Sequence, residues 1–236
     1  MKYEQEYRSY IQQNKENTGP TCIDLFAGCG GFSLGFIKAG YRVIWANECA
    51  KEAADTYEYN LGKHVDRRRI EKIPSSEIPD ASIIIGGPPC QGFSLMGKRM
   101  LEDPRSKLVN QFVRVVRDKQ PKAFILENVP GLCSMGGYES NADRKRHTGK
   151  LLKELLIAFH DCGYNVSWGI LDAAFYGVPQ YRRRLFIIGK RNVDMQAYQS
   201  LAGAVSELFG VSLGEGITQR ELEPMCLQDA RIDKIH

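Results

Sequence analysis

The sequence lacks any apolar stretch long enough to cross a membrane. Its longest apolar runs, such as Ile83–Ile85 and Leu185–Ile188, have the length of a strand, whereas a membrane-spanning helix needs about twenty apolar residues. The opening segment MKYEQEYRSYIQQNKENTG is polar and has no apolar core of a secretory signal. These absences argue against a membrane protein and predict a cytoplasmic location.

Paired cysteines are lacking as well. The seven cysteines, at positions 22, 29, 49, 90, 133, 162 and 226, form no C-x-x-C pair and have no histidine pair nearby. Disulfide frameworks and zinc sites depend on such spacings, so we expect neither a disulfide framework nor a metal. In a reducing compartment most of these thiols are expected to be small buried apolar side chains.

A strong charge bias is also missing. The net charge of +4 permits nucleic-acid binding without requiring it. Basic residues concentrate in Arg67–Arg69, Lys98–Arg99, Arg144–Arg146 and Arg182–Arg184, and a solvated surface is the simpler interpretation of each cluster. With 236 residues, 43% of them hydrophobic, the chain fits one main globular domain.

What the sequence does contain is a regular alternation of strand-like and helix-like segments, without internal repeats. Strand patterns cover 21–26, 41–48, 81–87, 123–128, 164–172 and 183–191, and helix patterns cover 32–40, 49–62, 107–120 and 149–163. This alternation predicts an α/β fold with a doubly wound, mostly parallel sheet covered on both faces.

Distinctive residues follow four of the predicted strands. A glycine loop follows the first strand, Glu48 ends the second, a cysteine loop follows the third and Glu127 ends the fourth. Ligands of such sheets bind beyond the carboxyl ends of the strands. We therefore expect these residues to share one crevice that accommodates two substrates.

The glycine loop DLFAGCGGFS resembles G-x-G-x-x-G with serine in the last glycine position, and Glu48 lies twenty positions after Gly28. Glycines allow a close approach of the backbone to a ligand, and a carboxylate after the second strand can hold ribose hydroxyls. Dinucleotides and S-adenosylmethionine both fit this pattern. A tight turn that simply needs glycine is the alternative.

The segment IIGGPPCQGFSL places a single thiol in a loop whose backbone Pro88–Pro89 restrains. As a thiolate, Cys90 would be a nucleophile. Glu127 ends the apolar strand AFILEN, where a carboxyl group is costly unless it is paired or protonated. A functional acid is favoured, and a helix cap or a salt-bridge partner is the alternative.

The segment QYRRR precedes the apolar part of the last strand. In an extended chain Arg182 and Arg184 point to one side and Arg183 points to the other. Two guanidinium groups in one crevice suit a phosphate or a carbonyl oxygen. An exposed strand edge with solubilising charge is the alternative.

Together these segments, from Thr21 to Arg191, resemble the cytosine-5 DNA methyltransferases. DLFAGCGGFSLGF resembles the S-adenosylmethionine loop of that family, GGPPCQGFS its nucleophile loop, ENV its acid motif and QYRRR its Q-x-R-x-R motif. The segments GKRMLEDPRSKL and YGVPQ resemble the intervening ones. The resemblance implies an S-adenosylmethionine-dependent methyltransferase (Rossmann-like) fold.

The resemblance also implies roles for individual residues. Cys90 would attack C6 of a cytosine flipped out of the helix and so activate C5 for the methyl group. Glu127 would hold or protonate N3, and Arg182 and Arg184 would contact the carbonyl oxygen, the phosphate or the surroundings of Cys90. The implied cofactor ligands are Phe26 on adenine, Gly28, Gly30 and Gly31 at the methionine end, Glu48 on the ribose, and Pro89 and Leu108. The implied DNA contacts are Gln91, Ser94, Lys98, Arg99 and Gln180.

One position departs from the family pattern. Relatives carry an aspartate that binds the adenine amino group, and the matching position here is Arg69. A cationic side chain there would weaken the binding of a cationic cofactor. Asp66, three residues earlier, is the alternative ligand.

The predicted organisation is a polar lead over 1–20, a catalytic and cofactor-binding domain over 21–191, and a helical tail over 192–236 that could contact a partner. Relatives continue with a target-recognition region, which we do not find here. We therefore expect the catalytic subunit of a split, bacterial, restriction-modification type or orphan enzyme, associated with the nucleoid, that acts on double-stranded DNA with a second chain. A truncated or decayed copy, an inactive regulatory relative and an RNA methyltransferase are the alternatives.

Overall fold

The computed structural model describes residues 2–89 and 107–191, with side chains from Ser9 onward. The strands are β1 Thr21–Leu25, β2 Arg42–Asn47, β3 Val65–Asp66, β4 Ile83–Gly86, β5 Ala123–Asn128, β6 Tyr164–Asp172 and β7 Arg183–Arg191. The helices are α1 Lys2–Glu16, α2 Gly31–Lys38, α3 Lys51–Leu61, α4 Lys107–Lys119, α5 Asn141–Lys145 and α6 Lys150–Asp161.

The seven strands form one sheet in the order β3-β2-β1-β4-β5-β7-β6. The first five strands are parallel to one another, and β7 runs antiparallel between β5 and β6. The prediction of a mostly parallel, doubly wound sheet is thus confirmed. Because β1, β2, β4 and β5 point the same way, their carboxyl ends lie at one edge of the sheet.

Both faces of the sheet are covered, because successive side chains of a strand point to opposite faces. In β4, Ile84 joins a core cluster with Phe112 of α4 and Phe159 of α6. Its neighbours Ile83 and Ile85 join a second cluster on the other face, which includes Phe36 of α2 and Tyr57 of α3. An almost wholly apolar strand such as β4 is typical of a parallel sheet that is buried on both sides.

The first helix is an addition to the predicted elements. No element is predicted for the polar lead, yet α1 packs against α2 and α3. The side chain of Asn14 is buried, donates from Nδ2 to the Val43 carbonyl at 2.8 Å and accepts from the Val43 N–H at 2.8 Å. The helix therefore covers the edge of the sheet near β2. Within the described part of the chain, no helix is long and apolar enough to cross a membrane.

Candidate active site

Hydrogen bonds tie together the four strand ends that carry the distinctive residues. The Ala27 N–H, after β1, donates to the Asn47 carbonyl at the end of β2 at 2.9 Å. The Asn128 side chain, at the end of β5, donates to the Pro88 carbonyl after β4 at 3.0 Å. The four ends therefore form one continuous rim, as the motif order predicts.

The glycine loop after β1 has a left-handed backbone at three positions. Phe26, Gly28 and Gly30 have φ angles of 58°, 56° and 92°. A side chain at Gly30 would place Cβ 2.5 Å from Leu61 Cδ1 and 2.8 Å from Tyr57 Cδ2, so this glycine lets the loop pack on α3. A Cβ at Gly28 would meet no atom within 4 Å, which leaves room for a ligand there.

The carboxylate of Glu48 is held by backbone groups on both oxygens. Oε2 accepts a hydrogen bond from the Gly28 N–H at 2.9 Å, and Oε1 accepts one from the Ala50 N–H at 2.7 Å. Each carboxylate oxygen retains a lone pair for a further donor. Glu48 is thus fixed beside the glycine loop and can accept hydrogen bonds from ligand hydroxyls.

Asp66 and Arg69 lie in different surroundings at the end of β3. Asp66 ends β3, where its carbonyl accepts from the Glu48 N–H at 3.0 Å. Its carboxylate pairs with Arg68 at 2.7 Å. Arg69 lies in the following loop, pairs with Glu71 at 2.9 Å and has a side chain 63% exposed. The carboxyl group beside Glu48 therefore belongs to Asp66.

Glu127 lies on the opposite half of the rim, where β7 pairs with β5. Its Oε1 accepts from Arg184 Nε at 2.9 Å. A Cβ at Gly87 would lie 3.1 Å from Oε2, so the glycine before the cysteine loop makes room for this carboxyl group. Burial raises the pKa of Glu127 above its ordinary value, although the charges of Arg184 and Arg182 lower it. Arg184 therefore contacts Glu127 directly, whereas Arg182 is exposed and acts on Glu127 through its charge.

The hairpin loop between β6 and β7 fixes the backbone of Arg182. Asp172 Oδ1 accepts from the Arg182 N–H at 2.9 Å and from the Ala174 N–H at 3.2 Å. The Ala173 N–H donates to the Arg182 carbonyl at 3.1 Å. Gln180, in the same loop, is exposed. This loop carries its polar side chains at the surface next to Glu127.

The remaining predicted site residues border or lie in the segment 90–106. Pro89 is exposed, and Leu108, in the first turn of α4, packs against the core cluster that contains Phe112. The predicted nucleophile and loop residues lie outside the described residues: Cys90, Gln91, Ser94, Lys98 and Arg99.

The expectation that the cysteines are buried is only partly correct. Cys22 and Cys133 are buried, but Cys29 and Cys49 are exposed. The physical reason is their position: Cys29 lies in the glycine loop and Cys49 directly follows Glu48, both at the open rim rather than within a strand. A cysteine's burial depends on its element and not on its residue type alone.

Two buried polar residues near the rim are assigned no role from the sequence. Asp24 lies within β1 and is completely buried, and Asn128 at the end of β5 is 3% exposed. Both interrupt runs that are otherwise apolar, and a polar residue in such a run is the signal that could have marked them. Buried polar side chains need partners, and Asn128 finds one in the loop that leads to Cys90.

Comparisons with known proteins identify the family of this chain. Residues 20–210 match the model of the C-5 cytosine-specific DNA methylase family. The chain is 42% identical over 168 residues to Type II methyltransferase M.MthTI of Methanothermobacter thermautotrophicus, covering 71% of this chain and 48% of that one. It is 38% identical over 181 residues to Type II methyltransferase M.NgoFVII of Neisseria gonorrhoeae, covering 75% and 46%.

Among solved structures, the fold is similar to that of the Dnmt2 methyltransferase of S. pombe. The TM-score is 0.58 at 23% identity, and the match covers 75% of this chain and 53% of that one. This chain thus spans about half the length of the relatives it matches. Motif order, sheet order and the family match agree: the chain belongs to the C-5 cytosine-specific DNA methylase family.

Proposed function

We propose that this chain provides the catalytic and cofactor-binding part of a DNA cytosine-5 methyltransferase. The observation that carries the proposal is the division of one rim into two sites. Glu48 and the glycine loop occupy one side, and Glu127, held by Arg184 at 2.9 Å, occupies the other. A methyl donor and a target base would meet between them.

The side formed by β1, β2 and β3 fits S-adenosylmethionine. Each oxygen of Glu48 keeps a lone pair for a ribose hydroxyl beside its backbone hydrogen bond, and the open space at Gly28 and Gly31 admits the methionine part. Asp66 replaces Arg69 as our proposed ligand of the adenine amino group, because it ends the strand beside Glu48. When bound, the cofactor supplies an electrophilic methyl group on a sulfonium.

The side formed by β5 and β7 fits a flipped cytosine. Burial favours the protonated form of Glu127, and a carboxyl group that keeps its proton can donate to N3 of the base. Arg184, which contacts Glu127, and the exposed Arg182 would donate to the base carbonyl or to a phosphate. Arg182 can reach outward because its backbone, and not its side chain, is held by Asp172.

The proposed nucleophile is Cys90. It lies two residues after Pro88, whose carbonyl accepts a hydrogen bond from the Asn128 side chain. Its thiolate would form a bond to C6 while Glu127 protonates N3, so that electron density moves to C5. When C5 takes up the methyl group, N3 returns its proton to Glu127, and a base then removes the C5 proton. The C6–S bond then breaks, which restores the double bond and the thiolate.

Double-stranded DNA is the proposed substrate, with the target base flipped because its C5 and C6 atoms are inaccessible within a stacked duplex. A second chain that carries the target-recognition region and the C-terminal motifs is the proposed partner. Binding of DNA would place the protein at the nucleoid. The proposal of a restriction-modification role is supported by relatives named as Type II methyltransferases.

Transfer of tritiated methyl from S-adenosylmethionine to unmethylated duplex DNA tests the proposal. The assay compares this chain alone, the chain with the product of the neighbouring reading frame, and Cys90→Ser in both conditions. We expect label on C5 of cytosine only when the second chain is present, and none with Cys90→Ser. Label with the chain alone would refute the need for a partner. The absence of both label and cofactor binding would refute the methyltransferase itself in favour of a non-catalytic relative.

A further inference from the structure

A completely buried carboxyl group lies beneath the glycine loop and has no part in the proposed reaction. Asp24 has 0% exposure, and its Oδ2 accepts from the Ser33 N–H at 3.1 Å and from the Ser33 hydroxyl at 2.7 Å. Its Oδ1 has no hydrogen-bond partner among the described atoms. An unpartnered oxygen of this kind is costly to bury, particularly when it is charged.

A chain of hydroxyl groups leads from this carboxyl group towards the surface. Tyr57 donates to the Ser33 hydroxyl at 2.9 Å, and the Tyr57 hydroxyl oxygen lies 3.0 Å from His64 Nε2. His64 is half-buried, at the end of the loop that follows α3. Because hydroxyl groups can rotate and both donate and accept, the chain can pass a proton between Asp24 and His64.

Burial shifts the pKa values of Asp24 and of the titratable groups around it in different directions. Burial raises the pKa of Asp24 to about 7, with the charge of Glu48 adding to the rise and the Ser33 hydrogen bonds opposing it. Burial also raises the pKa values of Cys22 and Tyr57 and lowers that of His64. At neutral pH, therefore, Asp24 is the member of this cluster that changes charge most readily.

The glycine loop is flanked by two carboxyl groups, those of Asp24 and Glu48. Asp24 precedes the loop in β1, and Glu48 binds the loop through the Gly28 N–H at 2.9 Å. Among the described residues, neither carboxyl group forms an ion pair with a lysine, arginine or histidine. A positive charge on a ligand in this loop would favour the ionised form of Asp24.

We propose that Asp24 determines specificity for a positively charged ligand at the glycine loop, and that binding of such a ligand releases the proton from those molecules in which Asp24 is protonated. This inference rests on the proposed function, which places S-adenosylmethionine there. The Asp24 O–H bond would break and the carboxylate would stay beneath the glycine loop. The proton would pass through the Ser33 and Tyr57 hydroxyls, which reverse their donor directions, to His64 and solvent. S-adenosylhomocysteine, which has a neutral sulfur, induces less ionisation. Asp24 thereby favours the methyl donor over the spent cofactor.

Isothermal titration calorimetry of the full chain at pH 7 tests this inference. Each ligand is titrated in two buffers with different ionisation enthalpies, and the difference in measured enthalpy gives the protons released. The two ligands share the same amino group, so its titration cancels. We expect S-adenosylmethionine to release up to about half a proton more than S-adenosylhomocysteine, since a group with a pKa near the pH is half protonated.

Asp24→Asn keeps the shape and the Ser33 acceptor but cannot ionise, so it should abolish the difference. Asp55→Asn, on the exposed side of α3 where Asp55 pairs with Lys51, is the matched control and should retain it. If Asp24→Asn does not fold, the wild-type difference should still vanish at pH 8.5, where Asp24 is already ionised. Equal proton release by both ligands at pH 7 would overturn the inference. Failure of both ligands to bind would overturn the proposed function as well.

Discussion

The two halves of the rim hold their carboxyl groups by different means. At β1 and β2, backbone N–H groups fix both oxygens of Glu48. At β5 and β7, the side chain of Arg184 holds Glu127, and these two side chains are 24% and 29% exposed. One half therefore depends on the path of the main chain, whereas the other depends on a long side chain that water can reach.

We propose that the half with Glu48 binds the cofactor and that the half with Glu127 takes part in the chemistry. A carboxylate fixed by the backbone is already positioned before a ligand arrives, so less ordering entropy is lost on binding. A carboxyl group paired with one arginine can exchange that partner for a base and can keep or release a proton. The predictions below test this division, beginning with the largest expected effect.

Glu127→Gln should lower the rate of methyl transfer by about 10²- to 10⁴-fold, the usual contribution of a positioned acid. The Kd of S-adenosylmethionine should not change, because Glu127 lies on the other half. Single-turnover transfer and calorimetry measure the two quantities, with exposed Arg183→Gln as the control. A parallel loss of cofactor affinity would contradict the division.

Glu48→Gln should raise the Kd of S-adenosylmethionine by about 10- to 100-fold, because a hydrogen bond to a charged group contributes about 1.5–3 kcal/mol. The amide would also turn a donor towards the N–H of Gly28 or Ala50. Glu52→Gln, in the first turn of α3, is the control for loss of one negative charge. An unchanged Kd would exclude Glu48 as a ligand of the cofactor.

Gly30→Ala should lower the free energy of unfolding by about 1–3 kcal/mol, the usual cost of forcing extra atoms into a packed site. Its Cβ would meet Leu61 and Tyr57, and its φ of +92° is unfavourable for alanine. Gly31→Ala, where a Cβ meets nothing within 4 Å, should retain stability and weaken cofactor binding. Urea unfolding measures the free energy of unfolding of both variants. Equal values would refute the packing argument.

Asp66→Asn should weaken cofactor binding by a few fold, whereas Arg69→Gln should leave it nearly unchanged. An exposed ion pair such as Arg69–Glu71 contributes about 0–1 kcal/mol, and Arg69 points into its own loop. The two Kd values from calorimetry rank the residues directly. Tighter binding in Arg69→Gln would show that its charge does reach the cofactor.

Much of the fold follows from local patterns. The bounds of β5, β6 and β7 coincide with the predicted segments, because long apolar or alternating runs identify strands well. The two-residue strand β3 is too short to form any pattern. Helix α1 is polar over most of its length, and its contact with Val43 joins residues 29 positions apart. Such distant contacts cannot be read from local periodicity.

In the candidate site, too, contacts between distant residues cannot be predicted from local sequence patterns. Glu48 and Glu127 were predicted because a carboxyl group at a strand end is conspicuous. The pairing of Glu127 with Arg184 requires the antiparallel register of β5 and β7, which the sequence does not reveal. Counting along the chain places Arg69 at the adenine position, whereas we propose Asp66, because Asp66 ends β3 beside β2 and Arg69 lies in the following loop.

A crystal structure of this chain with S-adenosylhomocysteine tests the division of the rim most directly. We predict ribose hydroxyls within hydrogen-bond distance of Glu48, the adenine ring against Phe26, and an unfilled space beside Glu127 and Arg184. A nucleoside bound beside Glu127, or one that leaves Glu48 without a contact, would contradict the account.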